Sequence, residues 1–508
     1  MKIVLMADLH LSDHTGTPEE AALDWALNLA NSMATDVVLC LGDVTACGSA
    51  DAAMRYGQKA GNVNCPVLNV PGNSDVRMPS TAPLLERCFS DHDKGCHIGD
   101  IHFVGINTAQ GRILPAERAR LQAVEASGCL FIYSHHSPAH LDQDSREFMR
   151  QWIDEMRGSG RRVLMWAYGH IHRFMLDEFQ GVPTMSVRAL DPNKCIGGAP
   201  QIIVMDWNGE RLEWTEKCFD EALPVAWSRE ERAEFTDWLG ITCYDVPRDM
   251  SAAISHGIRH IEWRGVREEH MNMIREWRRA GGQSFSVHMP SIGYDGGVRG
   301  QPGFQACAVG AVQSGADMIT LHPPYVLNQR MLSGDETFER LADAMSGALK
   351  PVAEAGIDIL VENSHTKFGT GSDTMQREFG CAPIEVMTWR QALEERLGRE
   401  TCGFRLDVGH ARNNVPLSQD YPIGKWYALI GSQVHGYHLH QTILDADGRM
   451  HNHHPITGMD DGLISFDGFL WAWHTGRLRH APLILEIREG EGAVATWLRL
   501  QALLGENR

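Results

Sequence analysis

The sequence lacks a hydrophobic run long enough to cross a bilayer, which takes about 20 apolar residues. Its first apolar stretch is also too short for a signal peptide, because polar residues follow at once. The 12 cysteines are scattered singly, without a CxxC pair or the close spacing of a zinc site. We therefore expect free thiols in a reducing compartment, and a cytoplasmic protein that does not bind a membrane.

Positive charge is also scarce. Lysine and arginine number 46 against 65 aspartate and glutamate residues, which gives a formal net charge of −19. Such a chain repels a phosphate backbone, so the composition disfavours nucleic acid as a partner. Repeats and low-complexity segments are missing too, and 43% hydrophobic with 22% charged residues is typical of a globular protein. At 508 residues, about two to four domains are expected.

Histidine, by contrast, is abundant. The chain contains 25 histidines, and imidazole is the commonest metal ligand in proteins and the usual acid or base near neutral pH. The positions of these histidines relative to the predicted strands are therefore the main source of functional information.

Up to about residue 219, short apolar strands alternate with helical segments and polar turns. The strand candidates are Ile3–Ala7, Val37–Leu41, Val67–Val70, His102–Ile106, Leu130–Ser134 and Val163–Tyr168, followed by a hairpin that turns at Asn208 and Gly209. An acidic helical stretch around Pro224 then marks a domain junction. We place the first domain at residues 1–218 and a linker at residues 219–235.

Residues 236–508 follow a different rhythm, in which buried-looking strands alternate with helical patterns. The eight strand candidates are Ile241–Val246, His260–Trp263, Phe285–Met289, Met318–His322, Ile357–Glu362, Phe404–Val408, Gly436–His440 and Leu483–Ile487. Eight such strands over roughly 270 residues predict a (β/α)₈ barrel. The predicted fold class is therefore α/β, with a layered sheet domain followed by a TIM barrel.

Polar side chains follow the predicted strands of the first domain. They are Asp8, His10, Asp43, Asn73, His135, His136, His170 and His172. Carboxylate and amide oxygens mixed with imidazoles suit two adjacent divalent metals, which Asp43 could bridge, and two such ions can activate water and clamp a phosphoryl oxygen. One motif of this kind usually marks a turn, but five in order, each after an apolar strand, indicate a site.

These residues resemble the motifs of the calcineurin-like metallophosphoesterases over about residues 1–215, most closely the class III cyclic nucleotide phosphodiesterase and glycerophosphodiesterase branch. The resemblance implies an αββα sandwich. It also implies one metal held by Asp8, His10, Asp43 and His172, and a second held by Asp43, Asn73, His135 and His170. Asp43 and Asn73 are predicted to act in catalysis, and His136 either acts with them or packs beside the ligands.

The sequence departs from this family at Ser74, where a Gly-Asn-His-Asp motif often supplies a histidine that helps protonate the leaving group. His136, His140 or Asp75 could take over that role, or the leaving group needs little help. Ser74 itself is predicted to contact the substrate.

The barrel strands also end in ligand-type side chains, at the edge where TIM barrels place their chemistry. They are His288, His322, Glu362, Asp407, His410, His438, His440 and Glu486, with His451 and His453 in a loop. Burying so many ionisable groups together is costly unless metals or hydrogen bonds satisfy them. This pattern therefore predicts a second metal site.

Residues 236–500 resemble the xylose isomerase-like barrel superfamily, which includes endonuclease IV and sugar-phosphate isomerases or epimerases. Its isomerases hold one metal with Glu, Asp, His and Glu, which would correspond to Glu362, Asp407, His440 and Glu486. The endonuclease IV branch holds three metals, and the additional positions are matched by His288, His322, His410, His451 and His453. The family usually has aspartate in place of His451. Glu362 is the predicted catalytic residue of the barrel.

Loops beside the barrel strands supply the predicted substrate contacts. The glycine-rich stretch 291–303 carries Tyr294 and Arg299 and could close over a phosphate, although a plain mobile loop is the simpler interpretation. Lys367 and Arg412 are further candidates. Endonuclease IV must grip and bend DNA with basic loops, which the acidic composition does not favour, so a small organophosphate is the better substrate class.

Together these patterns predict a bifunctional metal-dependent phosphoesterase. The first domain, with two divalent ions, would hydrolyse a small-molecule phosphodiester of the sugar, polyol or cyclic type. The barrel, with up to three ions, would hydrolyse the resulting monoester, and manganese, iron and zinc are the candidate metals. Two alternatives stay open: a barrel that isomerises or epimerises a sugar or sugar phosphate, and a cyclic nucleotide as the first-domain substrate. A homo-oligomer also remains open.

Overall fold

The computed structural model describes residues 1–78, 96–124, 128–220, 224–326, 331–365, 379–398, 402–415, 417–445, 447, 450–459, 462–488 and 492–505. The chain divides into two compact units, Met1–Leu223 with Met459–Trp471, and Pro224–Gly458 with Ala472–Arg508. The division after Leu223 falls inside the predicted linker, whereas nothing in the sequence indicates that Met459–Trp471 groups with the first unit. Within the described ranges, no helix is long and apolar enough to cross a membrane.

Two sheets form the first unit. Their strands are β1 Lys2–Met6, β2 Val37–Cys40, β3 Val67–Asn69, β4 Cys96–Ile98, β5 Ile101–Ile106, β6 Cys129–Ser134, β7 Arg162–Tyr168, β8 Met175–Phe179, β9 Val182–Ser186, β10 Gln201–Trp207 and β11 Leu212–Cys218. One sheet has the order β11-β10-β1-β2-β3, and the other has the order β4-β5-β6-β7-β9-β8. The strands β1 to β3 and β5 to β7 pair in parallel within their sheets, so their carboxyl ends lie along one edge of each sheet.

An apolar core joins the two sheets of the first unit. Ile3 and Leu39 from one sheet pack with Phe103 and Phe131 from the other. A second apolar cluster places Trp152 against the outer face of the six-stranded sheet. The described part of this unit contains the α-helices Pro18–Ser32, Ala50–Ala60, Pro115–Gln122 and Gln143–Gly158. This arrangement is the expected αββα sandwich.

The second unit contains a closed barrel. The strands described in this unit are β12 Leu239–Cys243, β13 His260–Arg264, β14 Ser284–His288, β15 Gly293–Tyr294, β16 Val298–Arg299, β17 Met318–Leu321, β18 Tyr325–Val326, β19 Asp358–Glu362, β20 Cys402–Asp407, β21 Val434–Leu439, β22 Gln441–Leu444, β23 Met450–His454 and β24 Leu483–Leu485, and eight of them form the barrel. The barrel runs β12-β13-β14-β17-β19-β20-β21-β24 and closes where β12 pairs with β24 in parallel. These eight strands correspond in order to the eight predicted ones.

Helices separate most of the barrel strands. In the described ranges, the remaining α-helices are Arg229–Asp237, Val246–His256, Met271–Arg279, Gln301–Ser314, Glu336–Glu354, Pro383–Leu397, Val408–Arg412, Leu417–Asp420, Ile423–Ile430, Asp467–His474 and Gly492–Gly505. Side-chain caps fix several helix starts: Ser228 forms a capping box with Glu231, and Asp335 accepts the Phe338 N–H at 2.7 Å. Left-handed Gly257 and Gly398 end two others.

A buried ion pair fills the centre of the barrel, where the sequence analysis expected none. Arg405 Nη2 lies 3.2 Å from Glu262 Oε2, and both side chains are fully buried. Arg405 also donates to Ser286 Oγ at 2.9 Å and to Thr320 Oγ1 at 3.1 Å. A Cβ atom on Gly436 would lie 2.3 Å from Arg405 Nη1, so glycine is needed there to admit the guanidinium. Charged residues in the middle of otherwise apolar strands are the sequence signal for this pair.

We expect Arg405→Leu to lower the free energy of unfolding by about 3 kcal/mol or more, because the Glu262 carboxylate then stays buried without its charged partner. The matched control is Arg299→Leu, which removes an exposed arginine that lies 2.6 Å from Asp295 and should cost less than about 1 kcal/mol. Urea unfolding followed by circular dichroism measures both. Equal losses in the two variants would contradict the role given to Arg405.

Candidate metal centres

The first candidate metal centre lies at the carboxyl ends of strands from both sheets of the first unit. The side chains that follow β1, β2, β3, β6 and β7 form what we call the amino-terminal cluster: Asp8, His10, Asp43, Asn73, His135, His136, His170 and His172. Since the parallel strands end along the same edge of each sheet, residues far apart in sequence meet there.

Short distances connect the members of the amino-terminal cluster. The Nε2 atoms of His10 and His172 lie 3.2 Å apart. His135 Nε2 is 3.1 Å from Asn73 Oδ1 and 3.5 Å from Asp43 Oδ1. His172 Nε2 is 3.7 Å from Asp8 Oδ1. The structure thus brings together the residues that the sequence assigns to two metals.

The backbone of this cluster is held in an unusual conformation. Asp8, His10, Asp43, His170 and His172 have φ values of 55°, 47°, 51°, 71° and 58°, in the left-handed region. They make up five of the eight described non-glycine residues with positive φ. Each such residue costs of order 1 kcal/mol or more and persists only where its surroundings enforce it. The concentration of these residues at one place is characteristic of a functional site.

Two glycines let the backbone approach the carboxylates closely. A Cβ atom on Gly72 would lie 2.1 Å from Asp43 Oδ1, and one on Gly169 would lie 2.8 Å from Asp8 Oδ2. Any side chain at either position would push a carboxylate out of the cluster.

The two carboxylates of the cluster differ in their electrostatic environment. Burial raises the pKa of Asp8 to about 7. Burial also opposes the ionisation of Asp43, but the charge of His135 and the hydrogen bonds from Ser74 hold the pKa of Asp43 below its ordinary value. Burial lowers the pKa of His170 to about 4 and that of His136 to about 3, which leaves both imidazoles neutral and able to bind a cation.

Ser74 does not face open space. Its backbone N–H donates to Asp43 Oδ1 at 2.8 Å, and its Oγ donates to the Thr45 carbonyl at 2.7 Å. Asp75 is buried and accepts hydrogen bonds from backbone N–H groups, including that of Gly72 at 2.9 Å. We therefore revise both assignments: Ser74 positions Asp43 rather than binding substrate, and Asp75 joins loops rather than protonating a leaving group.

His136 and His140 occupy different positions. His136 is buried, and its ligand nitrogen lies within 4.8 Å of those of His135 and His170. Its Nδ1 has no hydrogen-bond partner among the described residues, which fits a cation or a further ligand there. His140 is exposed, lies 2.7 Å from Ser137 Oγ through Nδ1, and lines a cavity of about 720 Å³. Of the predicted proton donors, His140 is the one with access to that cavity.

The second candidate metal centre lies at the carboxyl ends of the barrel strands. We call its members the barrel cluster: His288, His322, Glu362, Asp407, His410, His438, His440, His453 and Glu486. Among the described residues, at least three groups of potential ligands have all their ligand atoms within 4.8 Å of one another: His288 with His322 and Glu362, His410 with His440 and His453, and Glu362 with Asp407, His438 and Glu486.

Glu362 lies at the centre of the barrel cluster. Its Oε1 is 2.7 Å from His438 Nδ1, and its Oε2 is 3.1 Å from His288 Nε2 and 3.3 Å from His322 Nε2. Burial opposes the ionisation of Glu362, but the neighbouring imidazoles of His322 and His438 hold its pKa well below the ordinary value.

Unsatisfied ligand atoms in the barrel cluster indicate that it can bind metal. Within the part of the chain that the structure describes, four buried ligand atoms make no hydrogen bond of suitable geometry: Glu362 Oε2, Asp407 Oδ2, His288 Nε2 and His410 Nε2, although Glu362 Oε2 and His288 Nε2 lie 3.1 Å apart. Such atoms are costly to leave unsatisfied. Oxygen and imidazole donors that converge in this way fit divalent cations.

The structure revises the choice of histidine in the Glu–Asp–His–Glu set. His438 groups with Glu362, Asp407 and Glu486, whereas the predicted His440 groups with His410 and His453. His438 also lies 2.8 Å from Glu262 Oε1 through Nε2, so the Arg405–Glu262 pair fixes its ring orientation. The sequence marks both histidines at the strand end, but His438 lies inside β21 whereas His440 follows the end of that strand at Leu439.

The structure also separates His451 from His453. His453 is buried beside His440 and Glu486, whereas the half-exposed His451 lies 2.9 Å from Asp445 Oδ2. Residues two apart usually share a face of a strand, but His453 has a φ of 65° and the ladder of this hairpin is irregular. We therefore withdraw His451 from the ligand set.

The remaining predicted substrate contacts fall in different places. Arg299 lies in an exposed pair with Asp295, so its assignment is revised. Arg412 is half-buried at the end of helix Val408–Arg412, two residues after His410. Lys367 lies outside the described residues.

The polar residues around Glu486 were not predicted from the sequence. Its Oε1 accepts hydrogen bonds from Arg264, from Arg488 at 2.8 Å and from Tyr244 at 3.2 Å. Its Oε2 faces His438 Nδ1 at 3.4 Å. An arginine directly after the second barrel strand and another after the eighth were the available signal.

We expect His453→Ala to weaken metal binding by the barrel cluster at least about tenfold, because it removes one of three clustered imidazoles. The matched control, His451→Ala, should leave metal affinity unchanged. Metal content after dialysis against a graded chelator, measured on the full-length protein, compares the two. An equal loss in both variants would restore His451 to the cluster.

Comparison with known proteins agrees with this division of the chain. Residues 1–174 match the family model of the calcineurin-like phosphoesterases. Residues 251–503 match the family model of the xylose isomerase-like TIM barrels. No curated protein matches the sequence.

Three solved structures illustrate the resemblance of the two parts. A dimetal phosphatase from Danio rerio is 13% identical, with 43% of this chain and 96% of that chain covered and a TM-score of 0.34. An L-ribulose 3-epimerase is 12% identical over 53% of this chain and 91% of that chain, with a TM-score of 0.38. A Thermus thermophilus protein soaked with zinc chloride is 22% identical over 53% of this chain and 99% of that chain, with a TM-score of 0.35. From the two family matches, the chain consists of a calcineurin-like phosphoesterase domain followed by a xylose isomerase-like TIM barrel.

Proposed function

We propose that the protein is a bifunctional metal-dependent phosphoesterase that hydrolyses a small phosphodiester in its first domain and the resulting monoester in its barrel. The observation that carries this proposal is the pair of separate clusters, each made of buried carboxylates and imidazoles at strand ends. Each cluster offers more ligands than one ion requires.

The amino-terminal cluster would hold two divalent ions, with Asp43 between them. Bound ions of this kind supply an activated water and neutralise charge on a phosphoryl group. The protein contributes the rest. The Ser74 N–H holds Asp43 in place, Gly72 leaves room for the Asp43 carboxylate, and the cavity beside His140 would accommodate the organic part of the substrate. A volume of about 720 Å³ suits a sugar, polyol or cyclic phosphate ester, and a cyclic nucleotide is within the same range.

The barrel cluster would hold up to three ions of manganese, iron or zinc. The number of ligands supports monoester hydrolysis, because an isomerase centre with four ligands gives no role to His288, His322, His410 and His453. Glu262 and Arg405 contribute by fixing His438 between two glutamates.

To test the proposal, we would follow product formation from a panel of small diesters with the intact, metal-loaded chain. The parent should release inorganic phosphate. Asp407→Asn should accumulate the monoester, and Asp43→Asn should lose diester hydrolysis by about 100-fold or more while still hydrolysing an added monoester, since each removes a ligand of one centre. His451→Ala serves as the control. Loss of both reactions in either variant would contradict the division of labour.

A second function for the barrel is favoured by one observation. Glu362, Asp407, His438 and Glu486 form a single set of four buried ligands, the combination found in sugar isomerases of the superfamily. In this case the barrel would isomerise or epimerise a sugar or sugar phosphate.

Deuterated water distinguishes the two functions. An epimerase or isomerase should incorporate deuterium at a carbon of an added sugar phosphate without releasing phosphate, because it breaks a C–H bond and leaves the ester intact. A phosphatase should release phosphate and leave the carbon-bound hydrogens unexchanged. Mass spectrometry of the recovered sugar, with Asp407→Asn as the inactive control, gives the answer.

A further inference from the structure

A second cavity, of about 460 Å³, lies at the mouth of the barrel. Its walls come from the residues that follow β13 and β14 and from the first turns of helix Gln301–Ser314. Arg264, His288, Ser291 and Gly303 are among the lining residues. The sequence analysis assigned phosphate binding to Arg299 instead, which lies in an exposed pair.

The charge of this cavity is unusual for such an acidic chain. Among the ten described residues that line it, none is an aspartate or glutamate, and Arg264 carries a full positive charge. By contrast, the larger cavity beside His140 has Asp144, Glu147 and Asp177 in its lining.

Arg264 is positioned to bind a ligand while it also pairs with Glu486. Its two hydrogen bonds within the described chain both run through Nη1, to Glu486 and to the Tyr244 hydroxyl at 3.5 Å. The other N–H groups of the planar guanidinium can therefore face the cavity. Burial opposes the charge of Arg264, but the Glu486 carboxylate raises its pKa, so it stays ionised.

The helix Gln301–Ser314 lines the same cavity with Gly303, Ala306 and Cys307, which share one side of its first two turns. Its N-cap residue is Gly300, no side chain caps the first turn, and that turn contains no acidic residue. The first N–H groups of a helix have no partner within the helix and favour anions. Gly303, the third residue of the helix, lines the cavity, and a Cβ atom there would meet nothing within 4 Å.

A buried imidazole supplies an independent indication of a ligand. His288 is 4% exposed and lines the cavity, and its Nε2 lies 3.1 Å from Glu362 Oε2 without forming a hydrogen bond of suitable geometry to any described residue. Because His288 belongs to the barrel cluster, the cavity opens onto the candidate metal centre.

We propose that this cavity is an oxyanion site that binds the phosphoryl group of the barrel substrate between Arg264 and the amino-terminal turn of helix Gln301–Ser314. The identification of the oxyanion as the substrate's phosphoryl group rests on the function proposed above. The existence of an oxyanion site does not depend on that function. The volume left beside a phosphoryl group fits a small sugar or polyol.

The test is titration calorimetry of the full-length, manganese-loaded protein with inorganic phosphate, repeated after chelation of the metal. Arg264→Met should weaken phosphate binding about tenfold or more, because it removes a charge-assisted contact. Arg299→Met is the matched control and should leave the affinity unchanged. Phosphate binding in the first domain is common to all variants and cancels in the comparison.

A second variant keeps the proposal testable if Arg264→Met does not fold. Gly303→Asp adds a negative charge inside the cavity, yet an aspartate in the first turn stabilises a helix, so a purely structural role predicts an unchanged or higher melting temperature and unchanged phosphate affinity. The proposal predicts a loss of about tenfold in affinity with the fold intact. Gln301→Asp places the same charge on the same turn outside the lining residues and should have a smaller effect.

Phosphate affinity within twofold of the parent in both Arg264→Met and Gly303→Asp would overturn the proposal, as would an equal loss in Arg299→Met. Failure of the proposed phosphatase function would give a different combination of results. Arg264-dependent phosphate binding without phosphate release from any monoester contradicts the phosphatase but supports the site. Monoester hydrolysis combined with Arg264-independent binding supports the phosphatase and rules out the site.

Discussion

The free-energy cost of burying carboxylates governs the structure of both centres. Asp8, Asp43, Glu362 and Glu486 are almost completely shielded from water, and an isolated buried carboxylate either takes up a proton or needs a partner. Each is surrounded by imidazoles, guanidinium groups or backbone N–H groups. Even so, several ligand atoms remain without hydrogen bonds in the described chain. A divalent cation is the partner that completes such an arrangement, which is why the metal-free geometry already indicates metal chemistry.

The second constraint is rigidity. A ligand must stay in place although its charge would be better solvated elsewhere, and here the chain achieves this through the ends of parallel strands. In the amino-terminal cluster the left-handed conformations of Asp8, His10 and Asp43 occur directly after fully buried strands. Packed strands supply the free energy that keeps those unfavourable conformations populated. In the barrel, the Arg405–Glu262 pair keeps the His438 ring in place, because Glu262 Oε1 lies 2.8 Å from His438 Nε2.

The features that the sequence predicted are those that leave a regular pattern of apolar and polar residues along the chain. The two folds, the eight barrel strands and the positions of most ligands are predictable, because apolar strands that stop at polar residues leave a clear pattern. Side-chain direction is not, because the residue at which a strand ends and a local irregularity of the ladder decide it. The choice of His438 over His440, and the separation of His451 from His453, both depend on such details. Glu262 and Arg405 escaped notice because they lie inside strands, where only the interior of a closed barrel brings them together.

The two centres also differ in how far their chemistry depends on the rest of the chain. All members of the amino-terminal cluster lie between residues 8 and 172, and those of the barrel cluster between residues 288 and 486, so each centre is complete within one unit. The segment Met459–Trp471 groups with the first unit but contributes no ligand among its described residues to either cluster. A cluster whose ligands, supporting glycines and ion pairs all lie in one unit keeps its geometry when the other centre is disabled. A single substitution in one cluster is therefore expected to leave the geometry of the other cluster intact.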